Sequence, residues 1–130
     1  MEEPMKKLSF TMENYLEAIY KLSSDGKGAR VSDIAEMLGV TKASTNSAMS
    51  TLSEKGLIVN EKYKEVFLTP EGLKLSELTC QKHEVIRKFF TEVLKVDVGI
   101  ADEDACAIEH VISNHSIRAM KQYLSNVNNK

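Results

Sequence analysis

The chain has 130 residues, 42% of them hydrophobic and 28% charged, with a net charge of −2. That balance belongs to an ordinary globular protein with a real core, long enough for one or two small domains. No apolar run approaches the roughly 20 residues of a membrane helix, and the opening MEEPMKKLSF carries acids but no apolar stretch, so neither a membrane partner nor a secretory signal is expected. A cytoplasmic location follows, with Cys80 and Cys106 reduced. The slight acidity argues mildly against nucleic-acid binding, because phosphate contacts need Lys and Arg; where the charges lie matters more than their total.

In chain order, a loose lead-in over residues 1–10 gives way to a helix for which Thr11 is a suitable N-cap. Met12, Leu16 and Ile19 form its apolar stripe, with Tyr15 and Tyr20 flanking. Glu13, Asn14 and Glu17 lie on the outer face, and Asn14 and Glu17, three apart, can converge on one point. On this helix alone a solvated polar surface is the preferred explanation. Ser23 to Gly26 favours a turn.

Residues 31–68 read VSDIAEMLGVTKASTNSAMSTLSEKGLIVNEKYKEVFL. Val31, Ile34, Ala35 and Leu38 follow the i, i+3, i+4, i+7 spacing of a helix buried on one face. Gly39 and Val40 break that pattern, and Thr41 can cap a second helix. In it Thr45, Ala48, Met49 and Leu52 point inward, leaving Lys42, Ala43, Ser44, Asn46, Ser47 and Ser50 outside. An exposed face of small hydrogen-bonding side chains can lie close to a groove floor. Gly56 ends the helix; residues 57–59 and 66–68 then pair as strands around a polar tip at 60–65. Between Met37 and Lys64, Lys42, Lys55, Lys62 and Lys64 outnumber Glu54 and Glu61, and Lys62 and Lys64 can lie along a phosphate backbone. The pattern is a winged helix-turn-helix. Its expected partner is double-stranded operator DNA, contacted by Lys42, Ala43, Ser44, Asn46, Ser47, Lys62 and Lys64.

Thr69, Pro70 and Glu71 make a strong helix start: a cap, a proline at the first position and an acid in the first turn. The helix continues through Leu73, Leu78, Val85, Ile86, Phe89, Phe90 and Val93, too long and apolar for the winged domain to cover. A second copy of the chain is the expected cover, making a homodimer. After a break at 96–99, one helix is expected at about 101–114 and a last one from Ser116, with a frayed end from Ser125. The expected fold is mainly α with a small β-wing. A winged helix-turn-helix domain spans 1–75, and an all-helical dimerisation domain spans 76–130.

The 101–114 helix sorts its chemistry by face. Ala105, Ile108, Val111 and Ile112 cluster on one side, while Cys106, Glu109 and His110, at i, i+3 and i+4, project from the other. A thiolate, a carboxylate and an imidazole at that spacing are three metal-ligand chemistries, and His83, three residues after Cys80, offers a second imidazole. The duller alternative exposes Glu109 and His110 and packs Cys106 as a small hydrophobe. No Cys-x-x-Cys, His-Glu-x-x-His, Gly-x-Ser-x-Gly or phosphate-cradling loop is present. An enzyme is not expected.

The stretches TMENYLEAIY, RVSDIAEMLGV, EKYKEVFLTPEG, KHEVI and above all DEDACAIEHVIS, in that order, resemble the diphtheria toxin repressor family of metal-activated iron and manganese regulators. In length the chain is nearest the two-domain manganese transport regulator branch. The resemblance implies metal ligands at Asn14, Glu17, His83, Cys106, Glu109 and His110. It also shows departures. The manganese branch is expected to carry Asp at position 14 and Glu at 106, the iron branch Met and Cys; Arg87 and Asp102 stand where longer repressors place ancillary ligands. The thiolate shifts preference toward Fe(II), Co(II) or Zn(II), away from Mn(II). The cellular metal is expected to be Fe(II) or Mn(II), Fe(II) slightly ahead, with Co(II), Ni(II) or Zn(II) able to substitute in vitro. The implied function is a metal-dependent repressor of metal-uptake genes, needing no organic ligand. The alternative is a winged-helix regulator not controlled by metal.

Overall fold

Ser9, rather than Thr11, caps the first helix: its side chain accepts from the Met12 amide at 3.2 Å, and α1 runs Phe10–Leu22. Serine ranks above threonine as a cap, and starting there takes Phe10 and Thr11 into the helix. The computed structural model describes residues 8–23, 26–61 and 64–128. The chain divides into two compact units, Met1–Ser76 and Glu77–Lys130.

In the first unit α1 is followed by α2 (Val31–Leu38), α3 (Lys42–Glu54), β1 (Ile58–Asn60) and β2 (Val66–Leu68), and α4 (Pro70–Lys88) begins there. Tyr15, Leu16, Ala18 and Ile19 of α1, Ile34 of α2, and Ala48, Met49 and Leu52 of α3 form the core with Ile58 and Val66 of the wing. Ile19, Ile34, Met49 and Leu52 are wholly buried. Burial of each such side chain contributes about 1.5–3 kcal/mol before the entropy cost of ordering it.

The turn between α2 and α3 depends on Gly39, which holds φ at +67°. That left-handed conformation suits glycine, and it lets the Val40 amide return to the Ala35 carbonyl at 3.0 Å. Thr41 then caps α3, accepting from the Ser44 amide at 3.0 Å. The wing strands pair antiparallel, Ile58 with Leu68 and Asn60 with Val66. Ala29 adds a bridge on the other side of β2, exchanging backbone hydrogen bonds with Val66 at 2.8 and 2.7 Å. Thr69 joins wing to α4: its hydroxyl donates to the Gly56 carbonyl at 2.7 Å and accepts from the Gly72 amide at 3.1 Å.

The division between the units falls inside α4. The second unit takes the rest of that helix, a π-helical turn at Phe89–Val93, α5 (Val98–Ile108) and α6 (Asn114–Asn128). The π-turn closes with the Leu94 amide reaching back five residues to Phe89 at 3.3 Å. It lets both Phe89 and Phe90, as well as Val93, pack against a core of Val85, Ile86, Ala105, Ile117 and Leu124. Phe89 also meets Tyr123 of α6 edge to face, centroids 5.7 Å apart.

Both α5 and α6 differ from the sequence expectation at both ends. The fifth helix starts at Val98 because the Asp97 carboxylate caps it, accepting from the Gly99 amide at 3.1 Å. It ends at Ile108, so Glu109 and His110 stand in a following turn and not mid-helix. The last helix opens at Asn114, two residues before Ser116. The Ser113 hydroxyl accepts from the Ser116 amide at 3.1 Å, and the helix persists to Asn128 where fraying was expected.

Candidate functional site: a reading helix and a ligand cluster

The outward face of α3 is as its periodicity predicts. Lys42, Ala43, Ser44, Asn46, Ser47 and Ser50 are exposed, while Thr45, Ala48, Met49 and Leu52 are buried. The N-terminal turn is held three ways. Thr41 accepts from the Ser44 amide, its hydroxyl also reaches the Ser44 hydroxyl at 3.0 Å, and Thr45 donates to the Thr41 carbonyl at 2.9 Å. A recognition helix presents its first turns to base edges, so these bonds fix the part of the helix that matters most.

On the wing, Lys64 is exposed and its Nζ lies 3.0 Å from Glu61. That hydrogen bond and the Glu61 charge hold the ammonium above the ordinary lysine value, so it stays a cation, half-neutralised by its neighbour. Lys62 and Tyr63 lie outside the described residues. Near the wing base, Arg30 approaches Glu65 at 3.8 Å. No helix among the described residues is long and apolar enough to cross a membrane.

In the second unit the chain brings together four of the six expected ligands. His83 is on α4, Cys106 near the end of α5, and Glu109 and His110 in the turn beyond. Glu109 is the hub. One carboxylate oxygen is 3.3 Å from His83 Nδ1, and the other is 3.5 Å from His110 Nε2. Cys106 Sγ is 3.9 Å from the same His83 Nδ1. Lys82 donates to the Ile112 carbonyl at 3.4 Å, tying the segment after this turn back to α4.

Burial reverses the duller alternative, in which Glu109 and His110 are exposed and Cys106 packed, and puts Glu109 on the same side as Ala105. Glu109 and His110 are 3% and 7% exposed, Val111 is 67% exposed, and Cys106 is also exposed. Ala101, Ala105 and Glu109 repeat every four residues along the buried stripe of α5. The carboxylate therefore follows two alanines inward, and Val111 turns out where the chain leaves the helix. A buried carboxylate is costly without compensating charge or hydrogen bonds, and here two imidazoles stand against it. Among the described residues neither cysteine forms a disulfide; Cys80 is half-buried.

Asn14 and Glu17, the other two expected ligands, are half-buried on α1 in the first unit, where Glu17 accepts from Lys21 at 2.8 Å. Arg87 bonds to Glu84 at 2.7 Å and holds that carboxyl below the usual range. Asp102 is the residue the sequence reading undervalued. Its Oδ1 is 2.7 Å from His83 Nε2, and His83, Asp102 and Cys106 offer ligand atoms all within 4.8 Å of one another. The signal was available: Asp102 and Cys106 are four apart on one helix, so their side chains share a face.

The donor set fits a divalent transition metal. Imidazole, carboxylate and thiolate all bind one, and here they stand close together: Glu109 oxygens 3.3 Å from His83 Nδ1 and 3.5 Å from His110 Nε2, with the Cys106 sulfur 3.9 Å from His83 Nδ1.

Comparison with known proteins matches both units. Residues 7–66 match the family described as "Iron dependent repressor, N-terminal DNA binding domain", and residues 69–130 match "Iron dependent repressor, metal binding and dimerisation domain". The HTH-type transcriptional regulator MntR of Lysinibacillus sphaericus (strain C3-41) is 39% identical over 107 residues, 82% of this chain and 76% of that protein. Among solved structures, a hypothetical protein from Sulfolobus solfataricus superposes with a TM-score of 0.74 at 27% identity, over 92% of this chain and 91% of its own. ScaR with bound Zn2+ gives 0.77 at 27% identity, over 88% of this chain and 53% of ScaR. With family matches across both units and a winged helix followed by a helical ligand-bearing unit, the chain belongs to the iron-dependent repressor family of metal-dependent, DNA-binding transcriptional regulators.

Proposed function

We propose that the chain is a homodimeric, metal-activated repressor of metal-uptake genes that works in the cytoplasm and turns over no substrate. Fe(II) or Mn(II), Fe(II) slightly ahead, is the activating ion, held by Asn14, Glu17, His83, Cys106, Glu109 and His110. The observation that carries the reading is the convergence of His83 Nδ1, both oxygens of Glu109 and His110 Nε2 at separations of 3.3–3.5 Å, beside the Cys106 thiol. The matched family descriptions, DNA-binding in one and metal-binding with dimerisation in the other, support the division of labour. So does ScaR, a manganese-activated repressor whose structure was also solved with zinc bound.

The ion would neutralise the ligand carboxylates and thiolate. The chain's own residues do the rest. Glu109 carries the buried negative charge, and His83 and His110 face it from two sides. Asn14 and Glu17 complete the set from α1. Metal then favours the DNA-competent state by whatever it gains there, in coupled systems of this kind about 1–3 kcal/mol. Two reading helices, one per protomer, address half-sites one DNA turn apart, roughly 34–36 Å. Lys42, Ala43, Ser44, Asn46 and Ser47 face the bases and the first turn's phosphates, and Lys62 and Lys64 of the wing meet the backbone.

Anaerobic DNA-binding titrations with Mn(II), Fe(II), Co(II) and Zn(II) test this. Metal raises operator affinity in the native chain, and Glu109→Ala removes the metal response while leaving weak, salt-sensitive binding. A Glu109→Ala protein that still responds fully to metal overturns the ligand assignment. A native chain indifferent to every metal overturns metal control and leaves the winged-helix regulator without it.

A further inference from the structure

We propose that Asp102 is a positioning residue that commits His83 to ligate metal through Nδ1. The inference rests on the metal reading above and concerns which edge of one ring faces the ion. His83 Nε2 lies 2.7 Å from Asp102 Oδ1, a hydrogen-bond distance. A carboxylate only accepts, so the proton of this bond sits on Nε2. That commits Nε2 to Asp102 and leaves Nδ1, the nitrogen 3.3 Å from a Glu109 oxygen and 3.9 Å from the Cys106 sulfur, as the edge that would face an ion.

The other use of Asp102 is as a ligand. In that case His83 would turn the same edge, Nε2, to the ion, and the ion would sit on the far side of the ring from Glu109. One imidazole cannot serve both edges to one ion. The short Asp102 bond and the ligand-like Nδ1 spacing favour the orienting role, in which a carboxylate grips the outer nitrogen of a metal-binding histidine. The sequence builds this economically. Asp102 and Cys106 are one turn apart on α5, so the helix that delivers the thiol also delivers the group that aims the imidazole. Asp102 is more than half exposed, so water competes for the bond.

The test uses the full chain with Zn(II) for nuclear magnetic resonance and Co(II) for absorbance. Long-range 1H–15N correlation in the native protein shows His83 with metal on Nδ1 and a proton on Nε2. Asp102→Ala weakens metal binding about 10-fold, the low end of what such outer partners contribute because the bond is exposed, and lets the ion reach Nε2 as well as Nδ1. Asp102→Asn keeps an acceptor oxygen; it restores metal on Nδ1 alone and recovers most of the affinity, a rescue that a purely packing role would not produce. Metal on Nε2 in the native chain overturns the proposal, as does an Asp102→Ala protein with metal still on Nδ1 alone and unchanged affinity while the native chain binds metal normally. A native chain that binds neither ion overturns the metal reading itself and this inference with it.

Discussion

The two units keep their chemistry at opposite depths. In the first, the outward side chains of α3, from Lys42 to Ser50, are exposed, and beneath them Thr45, Ala48, Met49 and Leu52 are buried. In the second, Glu109 and His110 are among the most buried polar residues of the chain, with His83 only slightly open and Cys106 at the edge. A DNA-reading surface must stay open to a partner that arrives from outside. An ion site gains by removing its ligands from water, because electrostatic attraction strengthens as the surroundings dry. The same chain of two helical units thus answers two different solvation problems.

The sharpest way to break that comparison is on α3 itself. Leu52→Ala empties a wholly buried position and costs about 3 kcal/mol in urea unfolding. Ser47→Ala on the outer face stays within about 0.5 kcal/mol of the native stability yet alters operator binding. If both changes cost similar stability, the helix is not divided into a seated face and a reading face.

That division was legible in the sequence because it needs nothing beyond period and capping. Thr45, Ala48, Met49 and Leu52 repeat with the helix, Thr41 is a standard cap, and Gly39 marks the turn. The wing was legible for the same reason: Ile58 and Val66 point in, Val59 and Phe67 out. Cys106, Glu109 and His110 were singled out by spacing, but the alternative that exposes Glu109 and His110 and packs Cys106 is the reverse of their burial. Glu109 falls one turn after Ala105, on the buried side of the period, and Val111 turns out where the chain leaves the helix without a glycine or proline to announce it. The π-turn at Phe89–Val93 was equally silent, since no residue type demands it. Asp102 was passed over because it was compared with a family position and not with the residue one turn away.

A smaller effect probes the junction between seated and reading faces. Thr41→Ala removes the cap that accepts from the Ser44 amide, and with it the hydroxyl contact between Thr41 and Ser44. The expected loss is about 1 kcal/mol by thermal or urea unfolding. Metal binding by the second unit's ligands should not change, because no ligand lies on α3. Operator affinity falls with the loosened first turn. An unchanged affinity in Thr41→Ala would mean that the reading helix is ordered by DNA and not by its own cap.

The smallest effect tests whether the second unit's outer charges matter as its buried ones do. Glu84 and Arg87, one turn apart on α4, are bonded at 2.7 Å, and Arg87 lowers the Glu84 carboxyl below the usual carboxylate range. A carboxyl depressed on folding stabilises the folded chain once the pH is above its unfolded value. That contribution drains away as the pH falls through the lower folded value, where the native carboxylate finally takes its proton. Glu84 is exposed, so water and salt screen the pair and its worth is about 0.3 kcal/mol. Glu84→Gln should therefore lower stability by about that amount at pH 7, with the difference from the native chain shrinking toward zero in acid and in high salt. Both trends come from the same urea titration repeated at two pH values and two ionic strengths. A difference that persists in acid would place the effect in packing by the Glu84 stem. A loss several times larger would mean that a rim charge is doing what only Glu109, buried between two imidazoles, is positioned to do.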